Sequence, residues 1–301
     1  MQLPKTLKIY LTVDYTPQST LATENTRNFW KLMAMGKTVL ITGASSGIGE
    51  ATARYFLQKG WNVAATMRSP REFVEAKDSR IIYPHLDLTV PETITSVIAK
   101  TLAHFERIDV LVNNAGYALM GPLEGVTQKQ LEQQFQTNVF GLVSTIQGVL
   151  PVLRQQGGGT IVNVTSIGGR LAFPLTASYH GTKWAVEGIS EAIRYELRPF
   201  GIRIKIIEPG GIKTNFINRG STWAVHPEYT EMASRMKQFS EKVNDSLPEP
   251  EGVAKVIYRA AVDRSPKLRY SPYGQTFLLL HALLPDWMWR SLVERMMLRK
   301  R

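Results

Sequence analysis

The chain of 301 residues contains no cysteine, which excludes disulfides, zinc–thiolate sites and thiol catalysis and fits a reducing compartment. Acidic residues are in deficit: 25 Asp and Glu stand against 36 Lys and Arg, a formal net charge of +11. Such a balance suits nucleic acid, an anionic membrane or an anionic small ligand. No zinc-finger, RRM-like or long basic-region pattern accompanies it, so no nucleic-acid partner is expected. His85, His104, His226 and His281 lack metal-ligand spacing, and no metal site is expected either. Ser166 has no GxSxG elbow around it, which argues against a hydrolase triad. Long apolar runs are also missing. The stretch Thr276–Leu298 comes nearest, but its uninterrupted run Phe277–Leu280 stops at His281, and Pro285, Asp286 and Arg290 follow. A spanning helix needs about 20 predominantly apolar residues. The first thirty-odd residues lack the apolar core of a signal peptide, so a cytoplasmic location is expected. Residues 1–35 read as a poorly ordered extension or an upstream start, because the chain begins afresh at "MAMGKTVLITG".

Hydrophobic residues make up 44% of the chain and charged residues 20%, a globular composition. Strand-like and helix-like segments alternate from Lys37 to about Tyr270. Short apolar runs fall at Thr38–Gly43, Trp61–Met67, Arg80–Leu88, Ile108–Gly116, Gly159–Ser166 and Ile202–Gly210. Helical patterns separate most of them, notably Gly47–Gly60, Val126–Leu150 and Ser178–Arg198. Continuous apolar strands with helices between them predict a parallel sheet covered on both faces, a doubly wound α/β domain. Ligands of such sheets sit outside the carboxyl ends of the strands. The domain is expected over 36–275, with 212–250 inserted as a substrate lid after the sixth strand and 276–301 as an amphipathic basic helix.

The first strand runs into "TGASSGIGE", with Gly43, Gly47 and Gly49 spaced G-x3-G-x-G. Glycine permits a tight turn and lets a pyrophosphate approach the backbone, and the following helix start offers unpaired N–H groups. Ser45 and Ser46 add hydroxyls. Ordinary strand–helix packing is the plainer account of such a turn, and its place after the first strand favours a nucleotide. The second strand ends in Met67 and Arg68, with no carboxylate to read ribose hydroxyls. A guanidinium there suits a 2′-phosphate, so NADP is expected in preference to NAD. Asp87 is either an acceptor for an adenine amino group or a helix cap. Asn113–Gly116, "NNAG", is a small turn able to pass under a cofactor or a purely structural one. Tyr179 and Lys183 lie one helical turn apart in "SYHGTKWAVEG". They are either packing plus a solvated charge, or a cation placed to favour a phenolate for proton transfer. His180, one residue on, does not share a face with Tyr179 and is expected to pack or to face solvent.

Together these motifs resemble the short-chain dehydrogenase/reductase family over about Lys37–Tyr270. The shared features are TGxxxGxG at Thr42–Gly49, NNAG at Asn113–Gly116, and YxxxK at Tyr179–Lys183. Ser166 thirteen residues before the tyrosine, Asn138 in "TNVFG", and Pro209–Gly210 after the sixth strand match as well. The resemblance implies a Rossmann-type parallel sheet of about seven strands and an NADP(H)-dependent alcohol–carbonyl oxidoreductase. It implies Tyr179 as general acid/base, Lys183 lowering its pKa and binding the nicotinamide ribose, and Ser166 on the substrate oxygen. Asn138 would hold a water of a proton relay and Thr214 would contact the carboxamide. The expected cofactor contacts extend along the strand ends: Ile48 in the glycine turn, Leu88 beside Asp87, Asn114 and Ala115 with Gly116, and Ile212 after Gly210. A homodimer or homotetramer through the long central helices is also implied.

Resemblance to retinol- and hydroxysteroid-type members points to bulky apolar alcohols or ketones as substrates. In the lid, Trp223, Tyr229, Met232, Met236 and Phe239 either line an apolar pocket or pack along a helix face. The tail, with Trp287, Trp289, Leu292 and Met296 among arginines, is either packed on the domain or a neighbour, or rests weakly on anionic lipid. A catalytically silent NADP-binding sensor and a lipid-surface protein are the alternatives on the same fold. Loss of Tyr179 or Lys183 would mark the sensor, and both are present.

Overall fold

The computed structural model describes residues 36–73, 78–214, 221–244 and 246–298. Its strands are β1 (Thr38–Ile41), β2 (Asn62–Ala65), β3 (Ile81–Ile82), β4 (Val110–Asn113), β5 (Ala118–Met120), β6 (Gly159–Val164), β7 (Ile202–Ile207), β8 (Ser221–Trp223) and β9 (Arg269–Tyr270). Seven of them form one sheet in the order β3-β2-β1-β4-β6-β7-β9, and every pairing is parallel. The strands are apolar almost throughout because both faces are covered. Side chains alternate in direction along a strand, so Val39, Ile41, Val63, Val112 and Val162 join one core while Leu40, Ala64, Leu111 and Ile161 join the other. The first face packs on α1 (Gly47–Gln58) through Ala53 and Phe56, and on α7 (Pro250–Val262) through Val253 and Ile257. The second packs on α2 (Pro91–Phe105), α4 (Gly141–Gln155) and α5 (Ala177–Leu197) through Val97, Val149 and Val186.

Strand order reverses between β1 and β4, since the chain goes from β1 outward to β2 and β3 and then crosses back. A crevice opens at such a reversal, outside the carboxyl ends of the strands. Helix α3 (Gln128–Phe135) starts on a capping box: the Thr127 hydroxyl accepts from Gln130 N–H, and the Gln130 side chain accepts from Thr127 N–H. It passes into α4 through one π-helical segment, Gln136–Phe140. That segment carries Asn138, in keeping with the frequent placement of π-bulges at functional sites.

Two features differ from the sequence-based expectations. Strand β5 pairs in parallel with β8, Ala118 opposite Ser221, in a separate small sheet that ties the lid segment to the end of β4. The C-terminal segment is not one helix but two, α8 (Gln275–Leu283) and α9 (Asp286–Met297). Leu284 is extended and Pro285 follows it. A proline disfavours helical geometry at the residue before it and removes a backbone donor, which breaks the run.

Both helices and the lid helix α6 (Thr230–Asn244) join a third core with Ile167, Leu171 and Leu175. Met236, Trp289, Val293 and Met297 are buried there. The described residues from Lys37 onward fall into a single compact unit. The N-terminal extension over 1–35 lies outside the described residues, as do residues 215–220 of the lid and Arg299–Arg301.

Candidate active site

The carboxyl ends of β1, β2, β4, β6 and β7 border one cleft of about 1430 Å³. At the end of β1 the chain turns at Gly43, with φ +69°, where a Cβ would come within 2.6 Å of Ala115 Cα. A Cβ at Gly49 would meet Gly43 O at 2.2 Å. The turn is therefore closed tightly against the end of β4, and only glycine fits. Asn114 holds it there: its Nδ2 donates to Thr42 O at 3.1 Å and Gly43 O at 3.0 Å. The Thr42 hydroxyl in turn accepts from the Asn114 and Ala115 N–H groups, both at 3.0 Å. Ser46 starts α1 in extended geometry with no side-chain cap, so the first-turn N–H groups face the cleft unclaimed by a capping side chain.

Every expected cofactor contact borders this cleft. Gly43, Ser45 to Gly49, Arg68, Asp87, Leu88, Asn114 to Gly116, Pro209, Gly210, Ile212 and Thr214 all line it. Arg68 is exposed just past β2, and its backbone carbonyl accepts from His85 Nδ1 at 2.7 Å. Asp87 closes a local turn and does not cap the helix that follows, whose N-cap is Val90 without a side-chain bond. Its Oδ1 accepts from Thr89 N–H at 2.9 Å and the Thr89 hydroxyl at 2.7 Å, and the latter bond leads in holding its pKa below the usual value. Arg71 was not anticipated. It reaches Glu50 at 2.7 Å and the Ser45 carbonyl, and so stands beside the glycine turn. Its only sequence signal is a second basic residue shortly after Arg68.

At the other end of the cleft Ser166, Tyr179 and Lys183 meet. Ser166 starts a single helical turn after β6, and its hydroxyl accepts from Gly168 N–H at 3.0 Å and hydrogen-bonds the Tyr179 phenol. Tyr179 and Lys183 stand in the first two turns of α5, with Lys183 Nζ 5.7 Å from the phenol ring centre. That ammonium donates to Val164 O at 3.0 Å. Burial pushes it down to about 8, with the Glu187 carboxylate one turn on working the other way.

The expectation that Lys183 brings the tyrosine down is not met by the protein alone. Burial pushes the phenol up to about 12, opposed by the bond from Ser166. Desolvation of a phenolate outweighs a cation whose nearest acceptor is a backbone carbonyl.

Asn138 lies behind the cleft rather than in its wall. Its Nδ2 donates to Tyr117 O at 2.9 Å and the Thr182 hydroxyl at 3.1 Å, and its Oδ1 accepts from Tyr117 N–H at 3.1 Å. Its amide thus pins the strand end after Gly116 to helix α5. The lid aromatics and methionines divide the other way from the pocket account. Trp223, Tyr229, Met232, Met236 and Phe239 pack in the third core. The apolar wall of the cleft comes instead from Leu119, Met120, Ile167, Phe173, Leu247 and Met297. No alternating or helical pattern marks that set, because its members come from five different segments.

A parallel sheet with a glycine turn at its strand reversal defines a dinucleotide-binding oxidoreductase architecture. Residues 37–224 match the family model of the short chain dehydrogenases. An uncharacterised oxidoreductase of Schizosaccharomyces pombe is 40% identical over 206 residues, 68% of this chain and 87% of the relative. A protein of Bacteroides thetaiotaomicron named 3-ketodihydrosphingosine reductase is 31% identical over 253 residues, 83% of this chain and 92% of the relative. The solved structure of ElxO with NADP bound is 30% identical, with a TM-score of 0.68 over 81% of this chain and all of ElxO. The chain belongs to the short-chain dehydrogenase family and is an oxidoreductase of that family.

Proposed function

We propose that this protein interconverts an alcohol and a carbonyl on a bulky apolar substrate, with NADP(H) as cofactor. The observation that carries the reading is the meeting of the hydrogen-bonded Ser166 and Tyr179 hydroxyls with Lys183 in the cleft that also holds the glycine turn. Bound there, the nicotinamide supplies or accepts the hydride. Ser166 and Tyr179 are two donors aimed at an oxygen that gains negative charge as a carbonyl is reduced. A phenol held at about 12 keeps its proton at neutral pH, so Tyr179 presents that proton to the oxygen. The buried Lys183 cation stabilises the tyrosinate left behind and lies near enough to the Gly116 turn to hold the ribose hydroxyls. Asn138 fixes the Tyr117 backbone and α5 relative to each other, and with them the spacing of Lys183 from that turn.

Arg68, with no carboxylate beside it at the end of β2, supports NADP over NAD, as does ElxO, which was solved with NADP. The apolar wall supports a bulky apolar substrate, and the relative named 3-ketodihydrosphingosine reductase is consistent with it. The test is consumption of NADPH against a panel of apolar aldehydes, ketones, retinoids and steroids, with NADH in parallel. Turnover that requires NADPH and is abolished in Tyr179→Phe, while that variant still binds NADPH, is the expected outcome. Retained turnover in Tyr179→Phe removes the tyrosine from the acid/base role. Silence across the panel with NADPH still bound shifts weight to the sensor.

A peripheral contact with lipid is a second reading, and one observation favours it. Leu279, Leu283 and Trp287 are 59%, 72% and 71% exposed along the outer side of α8 and α9, whose inner side closes the third core. A homodimer or homotetramer would bury other apolar surface, Phe140 and Trp184 on the central helices, each about half-exposed.

A further inference from the structure

His180 borders the same cleft as its neighbour Tyr179, although consecutive helical residues point some 100° apart. Both lie in the first turn of α5, and the two ring centres are 5.9 Å apart. The imidazole is buried, and its two nitrogens have different surroundings. The Phe173 N–H donates to Nδ1 at 3.4 Å. A backbone N–H cannot turn away, so Nδ1 presents its lone pair. The Thr176 hydroxyl, 3.3 Å from Nδ1, sends its own proton to Phe173 O at 2.6 Å. The ring proton is therefore on Nε2. Burial pushes the imidazolium down to about 4, so the ring is neutral at physiological pH and Nε2–H is its one donor.

That donor lies beside Gly168. A Cβ at Gly168 would stand 2.6 Å from Nε2 and 3.4 Å from the Ser166 oxygen, so the imidazole edge and the serine hydroxyl both lie close to this one glycine, which has no side chain to intrude. The hydrogen bonds of His180 to described residues are made through Nδ1. The Phe173 ring, 5.7 Å away edge-on, keeps the imidazole from swinging aside. His180 lines the cleft, where a substrate oxygen would take the place of water at this donor.

We infer that His180 Nε2–H is a second donor of the substrate site, binding an acceptor oxygen that the substrate carries within a few bonds of its reacting carbonyl. The substrate class is then a hydroxy- or oxo-substituted ketone, or the corresponding diol, and not a plain hydrocarbon ketone. This rests on the assignment of Ser166 and Tyr179 to the reacting oxygen, which supplies the first anchor; His180 supplies the second and fixes which face of the substrate lies along Phe173.

The test compares two probes, methyl nonyl ketone and its α-hydroxy derivative, in NADPH-dependent reduction by the full chain. The wild-type protein should favour the hydroxylated ketone in kcat/KM by on the order of tenfold to a hundredfold, as expected for a site built to hydrogen-bond a substrate oxygen. In His180→Phe, which keeps an aromatic ring against Phe173, the preference should fall to within about twofold by losing activity on the hydroxylated ketone. His180→Gln sets an amide N–H at the Nε2 position and should retain most of it. An equal loss on both ketones in His180→Phe makes the residue a packing element and overturns the inference. So does a wild-type protein with no preference, a result that needs no variant to fold. Reduction of neither probe by wild-type protein that binds NADPH would instead bring down the carbonyl chemistry on which the inference stands, and NADPH fluorescence separates the two cases.

Discussion

Around Tyr179 the ionisable side chains His180 and Lys183 are buried, and single side chains there carry a cost that depends on pH. An unfolded chain protonates His180 near its ordinary value of about 6.5, whereas the buried ring resists protonation until about 4. Between those values the unfolded state binds more protons, so stability rises with pH and is lost as pH falls from 6.5 towards 4. The full difference amounts to about 3 kcal/mol at most. Lys183 behaves in the same sense over a higher window, because its buried ammonium titrates at about 8 rather than 10.5. Urea unfolding followed from neutral pH to about pH 4 should therefore show a decline that is shallower in His180→Phe than in the wild type. Identical slopes would mean that the imidazole is not buried in its neutral form. Glu187 and Glu208 add a further charged layer behind α5, both buried and both 3.2 Å from Arg269 Nε. Such an arrangement holds only while the guanidinium is present, since removing one partner strands buried charge.

At the scale of elements, the glycine turn shows how little freedom joins β1 to α1. Gly43→Ala places a Cβ against Ala115 Cα at a left-handed φ. The conformation alone costs about 1–2 kcal/mol, and the neighbour is backbone that cannot step aside. Gly60, also left-handed but with nothing within 4 Å of its Cβ position, is the natural control. Thermal unfolding with NADPH titration should find Gly43→Ala clearly less stable and impaired in cofactor binding, and Gly60→Ala only mildly destabilised with binding intact. Equal behaviour of the two would remove the close approach as the reason for glycine.

The same elements show what a sequence makes legible. Strands β1, β4, β6 and β7 stand out as short runs rich in Val and Ile, although Asn163 interrupts β6 and Arg203 and Lys205 interrupt β7, and the glycine turn and the Tyr179–Lys183 spacing are local. Strands β5 and β8 are three residues each and form only by pairing with one another across a long stretch of chain, which no local pattern announces. His180 packs against Phe173, as its place on the helix predicts, and what no local pattern announces is that its ring also borders the cleft. The lid left its two readings open for a related reason, and packing is the one found. Its aromatic and methionine residues signal burial, but burial against α8 and α9 looks the same in sequence as burial around a substrate.

For the molecule as a whole, the division of labour at the C-terminal pair of helices matters most. Trp289, Val293 and Met297 seal the third core, and Met297 also reaches the cleft wall. Leu279, Leu283 and Trp287 turn the other way, next to exposed Arg290 and Arg295, in a chain whose formal charge is +11. No helix among the described residues is long and apolar enough to cross a membrane. An amphipathic surface helix instead binds lipid through buried apolar area plus attraction to anionic headgroups, and neither contribution suffices alone. Full-length protein should therefore float with vesicles containing an anionic phospholipid, float poorly with neutral ones, and be released as salt screens the charges. Replacing Leu279, Leu283 and Trp287 by serine should abolish flotation while leaving NADPH binding intact, because the inward-facing residues are untouched. Flotation that survives those substitutions would place the lipid contact elsewhere. Absence of flotation from anionic vesicles at low salt would leave the outer side of these helices to a protein neighbour, and a mass measurement in solution, repeated on the serine variant, would then show whether that neighbour is a second copy of the chain.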